Sequence, residues 1–530
     1  METFTPAEAH ALAPYFTNAD KPVFALTNLP ETVKGALFAR YSRSAKTVRR
    51  LFLDEFLGQM DAAPAQPTAV GNARADKLYA RVLSEYGDDS VAQLGGAHIA
   101  CERVSNVLTK VLEWGRLMAY LEQSTRYVPY TDRPDGRWKY HVPVELERSA
   151  LHAEFVRTLD FAFDTYSRLI PSMEAHFREK YPKPADDSDS VYKSVIRAKA
   201  LDTLRGLLPA ATTSNVGLYG TGQAFEALLL RMFAHPLEEV RACARQMLVE
   251  LRQVIPAFLT RIDQADRGGR WIDYLADTRR RFAATAAPIV DDAIAEDGGE
   301  VTLADFDPDG EIKVVAAALY STSTLPDDQL LALARRLSSD DRAALLRAYV
   351  GARANRRHKP GRAFERTHYR FDILGDYGAF RDLQRHRLLT LEWQPLGARH
   401  GYVEPAAIEE AGVLDAWRAV MDRSAELYER MMAHGDLNEA APYAVVMAYR
   451  VRFYMDMNAR EAMHVIELRT TPQGHPSYRR ICQLMHRAIA EVAGHRAIAA
   501  AMQFADHSQV ELERLQSERN LQKKRLEARG

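Results

Sequence analysis

Residues 112–130 read LEWGRLMAYLEQSTRYVPY, and the fold of the chain turns on what they share with residues 381–403, RDLQRHRLLTLEWQPLGARHGYV. Each is a helix-like run with basic residues that enters a polar loop. The first loop ends in Arg126-Tyr127, and in the second Arg399 has Tyr402 close behind it. The first stretch keeps the loop Glu122-Gln123-Ser124-Thr125-Arg126-Tyr127. The second keeps the basic triplet Arg385-His386-Arg387.

The correspondence continues on either side. ALFARYS at 36–42 resembles AAALYS at 316–321, and DDSVAQL at 88–94 precedes the first stretch as PGRAFER at 360–366 precedes the second. A further helical block follows each, LLLRMFAHPLEEVR at 228–241 and MNAREAMHVIELRTTPQGHPSYRR at 457–480. Matches repeated in one order imply an internal duplication. The acidic, Gly-containing segment 291–300, DDAIAEDGGE, reads as a linker. It places a boundary near residue 298, giving domains 1–297 and 298–530.

At 530 residues the chain is too long for one ordinary domain. Its 47% apolar and 27% charged residues are globular in composition. A net charge of -1 gives no basic field for a nucleic-acid partner. No apolar run is long enough for a membrane span, and METFTPAEAHALAPYF lacks the layout of a signal peptide. Cys101, Cys243 and Cys482 show neither CxxC nor metal spacing, so reduced cytoplasmic thiols and no metal site are expected. Most segments read as helix, as in LLALARRLSSDDRAALLRAYV at 330–350. VTLADFDPDGEIKVVAAALY at 301–320 predicts a β-hairpin about Pro308-Asp309-Gly310. The tail from Val510 predicts a charged terminal helix, solvated or coiled.

Three groups of residues could carry chemistry. Arg385-His386-Arg387, with Arg381 four residues earlier on the same helical face, offers guanidinium forks suited to phosphate or to the carbonyl edge of a flavin or pyrimidine. A solvated basic face is the other reading. In the loop 122–127, Ser124 and backbone amides could cradle a phosphate with Arg126 as countercharge, or Arg126 could simply cap a helix end. Asn458, Arg460 and Arg469 lie in a helical segment with apolar Ala459, Ala462, Met463, Val465, Ile466 and Leu468 and need partners, which ligands or intramolecular salt bridges could supply. No GxGxxG, P-loop, HExxH or GxSxG occurs, and the cysteines carry no motif that marks a thiolate nucleophile.

These residues resemble the flavin-dependent thymidylate synthases, duplicated in tandem. That family's signature runs RHR, two residues, Ser, one residue, Asn-Glu, one residue, Ser, one residue, Arg-Tyr. In the first half Trp114-Gly115-Arg116 stands at RHR and Ala119 at the first Ser, while Glu122, Ser124, Arg126 and Tyr127 fall in register. In the second half Arg385-His386-Arg387 matches in full, Thr390 replaces the Ser, and the loop pattern is lost. The family's Phe-Glu-His is similar to Phe364-Glu365-Arg366, and its Asn-x-Arg helix ending in Leu-Arg to Asn458, Arg460 and Leu468-Arg469. The first half carries Gly220 and Gly222 at the Asn and Arg positions but keeps Leu230-Arg231, and Ala-Arg-x-x-Leu-Pro is matched by Leu204 to Pro209.

The resemblance implies a predominantly helical α+β fold, two family domains each with a small antiparallel sheet and long helices. It implies reductive methylation of dUMP to dTMP, with FAD as cofactor and methylenetetrahydrofolate and NADPH as co-substrates. The first half would give nucleotide contacts from Glu122, Gln123, Ser124, Arg126, Tyr127 and Arg205. The second would give flavin contacts from Glu365, Arg385, His386, Arg387, Asn458 and Arg460, with Arg469 reaching the nucleotide. Arg126, Arg385 and Arg469 would stabilise charge during catalysis. Two chains would imitate the family homotetramer, so a homodimer is expected. Another uridine nucleotide as substrate, a flavin- or nucleotide-binding protein without turnover, and a helical scaffold remain open alternatives.

Overall fold

The computed structural model describes residues 3–41, 44, 46–59, 93–126, 128–185, 187–290, 293, 298–512 and 514–527. Tyr127, residues 88–92 of the first repeat and most of the acidic segment 291–300 lie outside them. In the first half the elements used below are α1 (Glu31–Tyr41), β1 (Gly96–Ser105), α2 (Asn106–Leu112), β2 (Met118–Glu122), α3 (His152–Lys180), α4 (Asp189–Leu204), β3 (Thr213–Thr221), α5 (Gly222–Phe233) and α6 (Glu238–Arg252). In the second they are β4 (Val301–Phe306), α7 (Gly310–Tyr320), β5 (His368–Asp376), α8 (Tyr377–Leu383), β6 (Thr390–Trp393), α9 (Leu414–Ala433), β7 (Arg450–Asn458), α10 (Ala459–Arg469), α11 (Pro476–Glu491) and α12 (Leu515–Glu527).

The chain is mostly helical with two small antiparallel sheets, as the resemblance implies, and the duplication is visible element by element. Strand, short helix, strand occurs as β1–α2–β2 and again as β5–α8–β6. Strand, helix, helix follows as β3–α5–α6 and β7–α10–α11. The sheet orders repeat too, β1-β3-β2 and β5-β7-β6, with β4 added beside β5 in the second.

Contacts divide the chain into two interleaved units. Unit 1 is Met1–Val104, Val111–Glu122 and Ser214–Ile294; unit 2 is Ser105–Lys110, Gln123–Thr213 and Ala295–Gly530. In unit 1, β3 alternates buried and exposed residues, placing Val216 and Leu218 on the core side with Phe225, Leu228 and Leu229 of α5. Thr221 caps α5, its hydroxyl accepting from Ala224 N at 3.2 Å. Sequence matching sets Gly220 against Asn458, but the cap equivalent to Asn458 is Thr221, one residue later.

In unit 2, β7 pairs with β5 from His368↔Asn458 to Asp376↔Arg450 and with β6 on its other side. Tyr369, Phe371 and Ile373 of β5 and Val451, Phe453 and Met455 of β7 are buried, and Ile481, Met485 and Ile489 of α11 are buried as well. Burying such side chains supplies about 1.5–3 kcal/mol each, which fixes the strand ends from which the site residues leave.

Two expectations are corrected. Residues 301–320 form a strand followed by a helix, not a hairpin. Asp307 accepts from Asp309 N at 3.0 Å in a local turn, and Lys313 N then bonds Asp309 O at 2.9 Å to open α7. The Ala-rich run after Gly310 favours helix, and a Cβ at Gly310 would meet Thr367 and His495 at 2.4 Å, closer than atoms can approach. The tail is not a freely solvated helix: α12 packs on α4, Arg519 bonds Asp187 at 2.6 Å, and Arg514 is buried.

Candidate functional site

Unit 2 builds its charged centre on two strand-to-helix junctions. β7 runs into α10, which Asn458 caps by accepting from Glu461 N at 2.9 Å. β5 runs into α8, capped by Asp376, which accepts from Ala379 N at 2.9 Å. α8 ends at Leu383, so Asp382 and the triplet 385–387 emerge from its last turn. α10 is a spine roughly 16 Å long with Asn458 at one end and Arg469 at the other.

Arginines converge near the Arg469 end. Arg385 Nη2 lies 2.6 Å from Asp382 Oδ1, while Arg205 Nη1 and Arg469 Nη1 stand 3.6 Å from the same carboxylate. Arg469 Nη2 also donates to the Asp382 carbonyl. A second carboxylate, Asp202, is gripped by Arg126 through Nε at 2.7 Å and Nη2 at 2.7 Å, with Arg514 3.9 Å away. Arg126 Nη1 reaches the Tyr478 hydroxyl at 3.3 Å. Burial opposes ionisation of Asp382, but Arg385, Arg469, Arg205 and Arg126 together hold its carboxyl far below the usual range. Burial, aided by Arg205, pushes His475 well below its ordinary value, so it adds no charge. Arg385, Arg205 and Arg469 thus share Asp382, and Arg126 and Arg514 share Asp202, a gathering of guanidiniums suited to an anion.

His386 works behind this cluster. Its Nε2 accepts from Arg469 Nε at 2.9 Å and its Nδ1 stands 3.7 Å from Glu461 Oε1. Accepting at Nε2 assigns the ring proton to Nδ1. Burial, with Arg469 adding to it and Glu461 opposing, lowers His386 to about 4; burial opposes the ionised Glu461, but His386 and His464 hold it at about 2. His386, Glu461 and His464 are the described residues whose donor atoms lie close enough to hold a cation, within 4.8 Å of one another. The proton on Nδ1 occupies the atom that an ion would need, so the trio reads as a hydrogen-bonded support for Arg469.

Stability should follow this support. A histidine whose folded pKa is depressed stays neutral while the unfolded chain takes a proton. His386 therefore contributes stability that is complete above about pH 6.5 and is lost as pH falls toward 4. Denaturant melts across that range should show a slope that His386→Gln reduces; an unchanged slope would exclude the neutral buried ring.

The structure brings four of the sequence-derived residues together: Arg126, Arg205, Arg385 and Arg469. Gln123 and Ser124 are half-buried beside Arg126, with Ser124 Oγ accepting from Arg126 N at 3.3 Å. Glu122 ends β2 in unit 1. Asn458, Arg460 and Glu365 gather at the other end of α10, where Arg460 Nη1 stands 3.4 Å from Glu365 and its Nε bonds the Pro360 carbonyl at 2.9 Å. Arg387 is exposed, and Arg381 is buried against Met447 Sδ at 3.4 Å. Asp202, Asp382, His475, Tyr478 and Arg514 were missed. The spacing Asp-x-x-Arg, present as Asp202–Arg205 and Asp382–Arg385, is the one sequence signal that could have found the carboxylates.

Burial pushes Cys482 up to about 12. Cys101 and Cys243 face each other in unit 1, and the hydrogen bond between their thiols lowers Cys101 and, with burial, raises Cys243. Among the described residues no helix is long and apolar enough to cross a membrane.

Comparison with known proteins gives a consistent pattern. The family profile described as thymidylate synthase complementing protein matches residues 36–257 and 302–494, one span on each side of residue 298. A UPF0159 protein of Chlamydia muridarum is 39% identical over 521 residues, covering 97% of this chain and 98% of that one. A UPF0159 protein of Thermoplasma acidophilum is 31% identical over 515 residues, covering 92% and 97%. A flavin-dependent thymidylate synthase of Clostridium tetani is 23% identical over 184 residues, covering 34% and 67%. Among solved structures, a UMP/dUMP methylase from Streptomyces cacaoi aligns at 21% identity and a TM-score of 0.32, covering 39% of this chain and 96% of that one.

Proposed function

The chain belongs to the thymidylate synthase complementing protein family, and from that premise we propose that it catalyses the reductive C5 methylation of dUMP to dTMP with methylenetetrahydrofolate and reduced FAD. The observation that carries this reading is the convergence of Arg126, Arg205, Arg385 and Arg469, brought from four segments of the chain into one cationic centre in which Arg205 is buried and the other three are half-buried.

The residues present fit a flavin in their donor chemistry. Arg385, Arg387 and Arg460 offer forks for a pyrophosphate or a carbonyl edge, and Asn458 keeps its Nδ2 as a donor while Oδ1 caps α10. His386 departs from direct contact: it is buried with both ring nitrogens turned to protein groups, so it is a positioning residue for Arg469. Bound flavin would supply the hydride, recharged by NADPH. The protein's own part is electrostatic. Arg126 and Arg205 seat the nucleotide phosphate, and Arg385 and Arg469 neutralise negative charge that grows on the pyrimidine carbonyl as C5 becomes nucleophilic. Asp382 and Asp202 hold these guanidiniums in place before substrate arrives. The reading extends to a homodimer, two chains supplying four family domains.

The visible spectrum of the purified protein tests it first, followed by complementation of a thymidine auxotroph. A flavin spectrum with growth rescue is expected. A yellow protein without rescue would make the chain a binding homologue, and a colourless protein that takes up no FAD would end the reading.

A further inference from the structure

Residues 502–527 of unit 2 lie beyond the family-matched spans, yet they return to the arginine centre. The first part is tied along the Arg469 end of α10 and onto α11. Phe504 N donates to Glu467 Oε1 at 3.3 Å, Asp506 N donates to Thr470 Oγ1 at 2.9 Å, and Arg479 Nη2 donates to the Ser508 carbonyl at 3.1 Å. The chain then opens α12, where the Arg514 carbonyl accepts from Glu518 N at 2.9 Å. Five residues on, Arg519 clamps Asp187, just ahead of α4, through Nε at 2.6 Å and Nη2 at 2.9 Å. Between these two fastenings Arg514 is 5% exposed, and its Nη2 stands 3.9 Å from Asp202 Oδ2, the carboxylate that Arg126 also grips.

That placement is costly. A cation at the start of a helix works against the dipole, and a buried guanidinium gives up its hydration. The carboxylate it faces offsets both. Burial opposes the ionised Asp202, and Arg126, with Arg514 among the other cations, holds its carboxyl below the ordinary range. Potentials add, so the Arg514 charge cancels part of the Asp202 charge where an anion would meet Arg126.

We propose that residues 502–527 form a strap that delivers Arg514 as a positioning residue for the anion site, and that docking of the strap and binding of a phosphate group at Arg126 favour each other. The inference rests on the proposed reading in one respect, that Arg126 meets the nucleotide phosphate, and it does not need the methylation. Two sites coupled in this way help each other equally, so an anion that gains from Arg514 must also hold the strap down.

Calorimetric titration of the full chain with inorganic phosphate and with dUMP tests the first half. Arg514→Gln, which removes the charge, should weaken phosphate about tenfold, or about 1.4 kcal/mol. Arg514→Lys, which keeps the charge, should stay within about threefold of the parent; a residue that only packs would not sort its variants by charge. Arg519→Gln unfastens α12 from Asp187 without touching the centre and should weaken phosphate about threefold. Hydrogen exchange tests the second half: saturating phosphate should slow exchange of the α12 amides in the parent and leave it unchanged in Arg514→Gln. Should Arg514→Gln shift the melting temperature strongly, exchange in the parent decides. Phosphate affinity unmoved by Arg514→Gln, or lost equally in Arg514→Lys, or α12 exchange indifferent to phosphate, overturns the strap and leaves the proposed reaction standing. If phosphate behaves as expected and dUMP does not bind, the reaction falls and the strap stands. A parent protein that binds neither overturns both.

Discussion

Arg126→Ala is expected to abolish measurable nucleotide binding and to destabilise the fold by about 3–5 kcal/mol, the range for removing one partner of a buried ion pair. Arg126 grips Asp202 through two nitrogens, and the two side chains are 12% and 7% exposed. Deleting the guanidinium leaves a buried carboxylate whose nearest remaining arginine among the described residues is Arg514 at 3.9 Å. Flavin titration of the same variant should change little, and Arg387→Ala should show the reverse, loss of flavin with nucleotide binding kept. Pairing Arg126→Ala with Asp202→Asn separates the two roles. The double variant should recover part of the lost stability, because the Asp202 carboxylate is no longer stranded although Arg514 loses it as a counter-ion, yet should not recover nucleotide binding. Equal loss of nucleotide and flavin in Arg126→Ala would remove the division of labour. Recovered nucleotide binding in the double variant would make Arg126 purely structural.

Asp382→Asn is expected to tighten binding of inorganic phosphate and of dUMP by roughly 10- to 100-fold. Removing one negative charge some 5 Å from a phosphate at an effective dielectric near 20 is worth about 3 kcal/mol before screening, and about 1.4–2.8 kcal/mol is a fair net. The same change should lower stability at neutral pH, since three arginines lose their shared anion. The sign with pH follows from the depressed carboxyl. Its contribution is complete above about pH 4 and is lost as pH falls further, so the variant should lose less stability than the parent on acidification below pH 4. Weaker phosphate binding in calorimetry would mean that Asp382 touches the ligand instead of standing in for it.

The triplet 385–387 and the loop around Arg126 were legible because local sequence carries them. So was the duplication, since each copy repeats the same order of strands and helices. The partners of these arginines were not legible. Arg126 meets Asp202, Tyr478 and Arg514's neighbourhood across up to several hundred residues of chain, and nothing in local spacing announces such a contact. Asp382 was passed over because a carboxylate inside a basic helix end reads as an ordinary surface pair. His386 looked like a ligand-facing residue from its place in the triplet, but its burial and its bond to Arg469 are tertiary facts. The hairpin expectation at 301–320 failed where a turn signal served as a helix start. Gly220 was matched to Asn458 because identity was sought by letter; the physical equivalent is the side chain that caps the helix, Thr221.

In the first copy the ring of Trp114 lies 5.5 Å from the Arg231 guanidinium, at the place where the second copy sets arginine beside Arg469. Val111 stands where the second copy has Asp382. Arginine at position 114 alone would bring a like charge to Arg231 with an aliphatic neighbour in the counter-ion's position. Giving the first copy the second copy's arrangement therefore takes two coordinated substitutions, the first of them unfavourable by itself, so single changes do not interconvert the two copies.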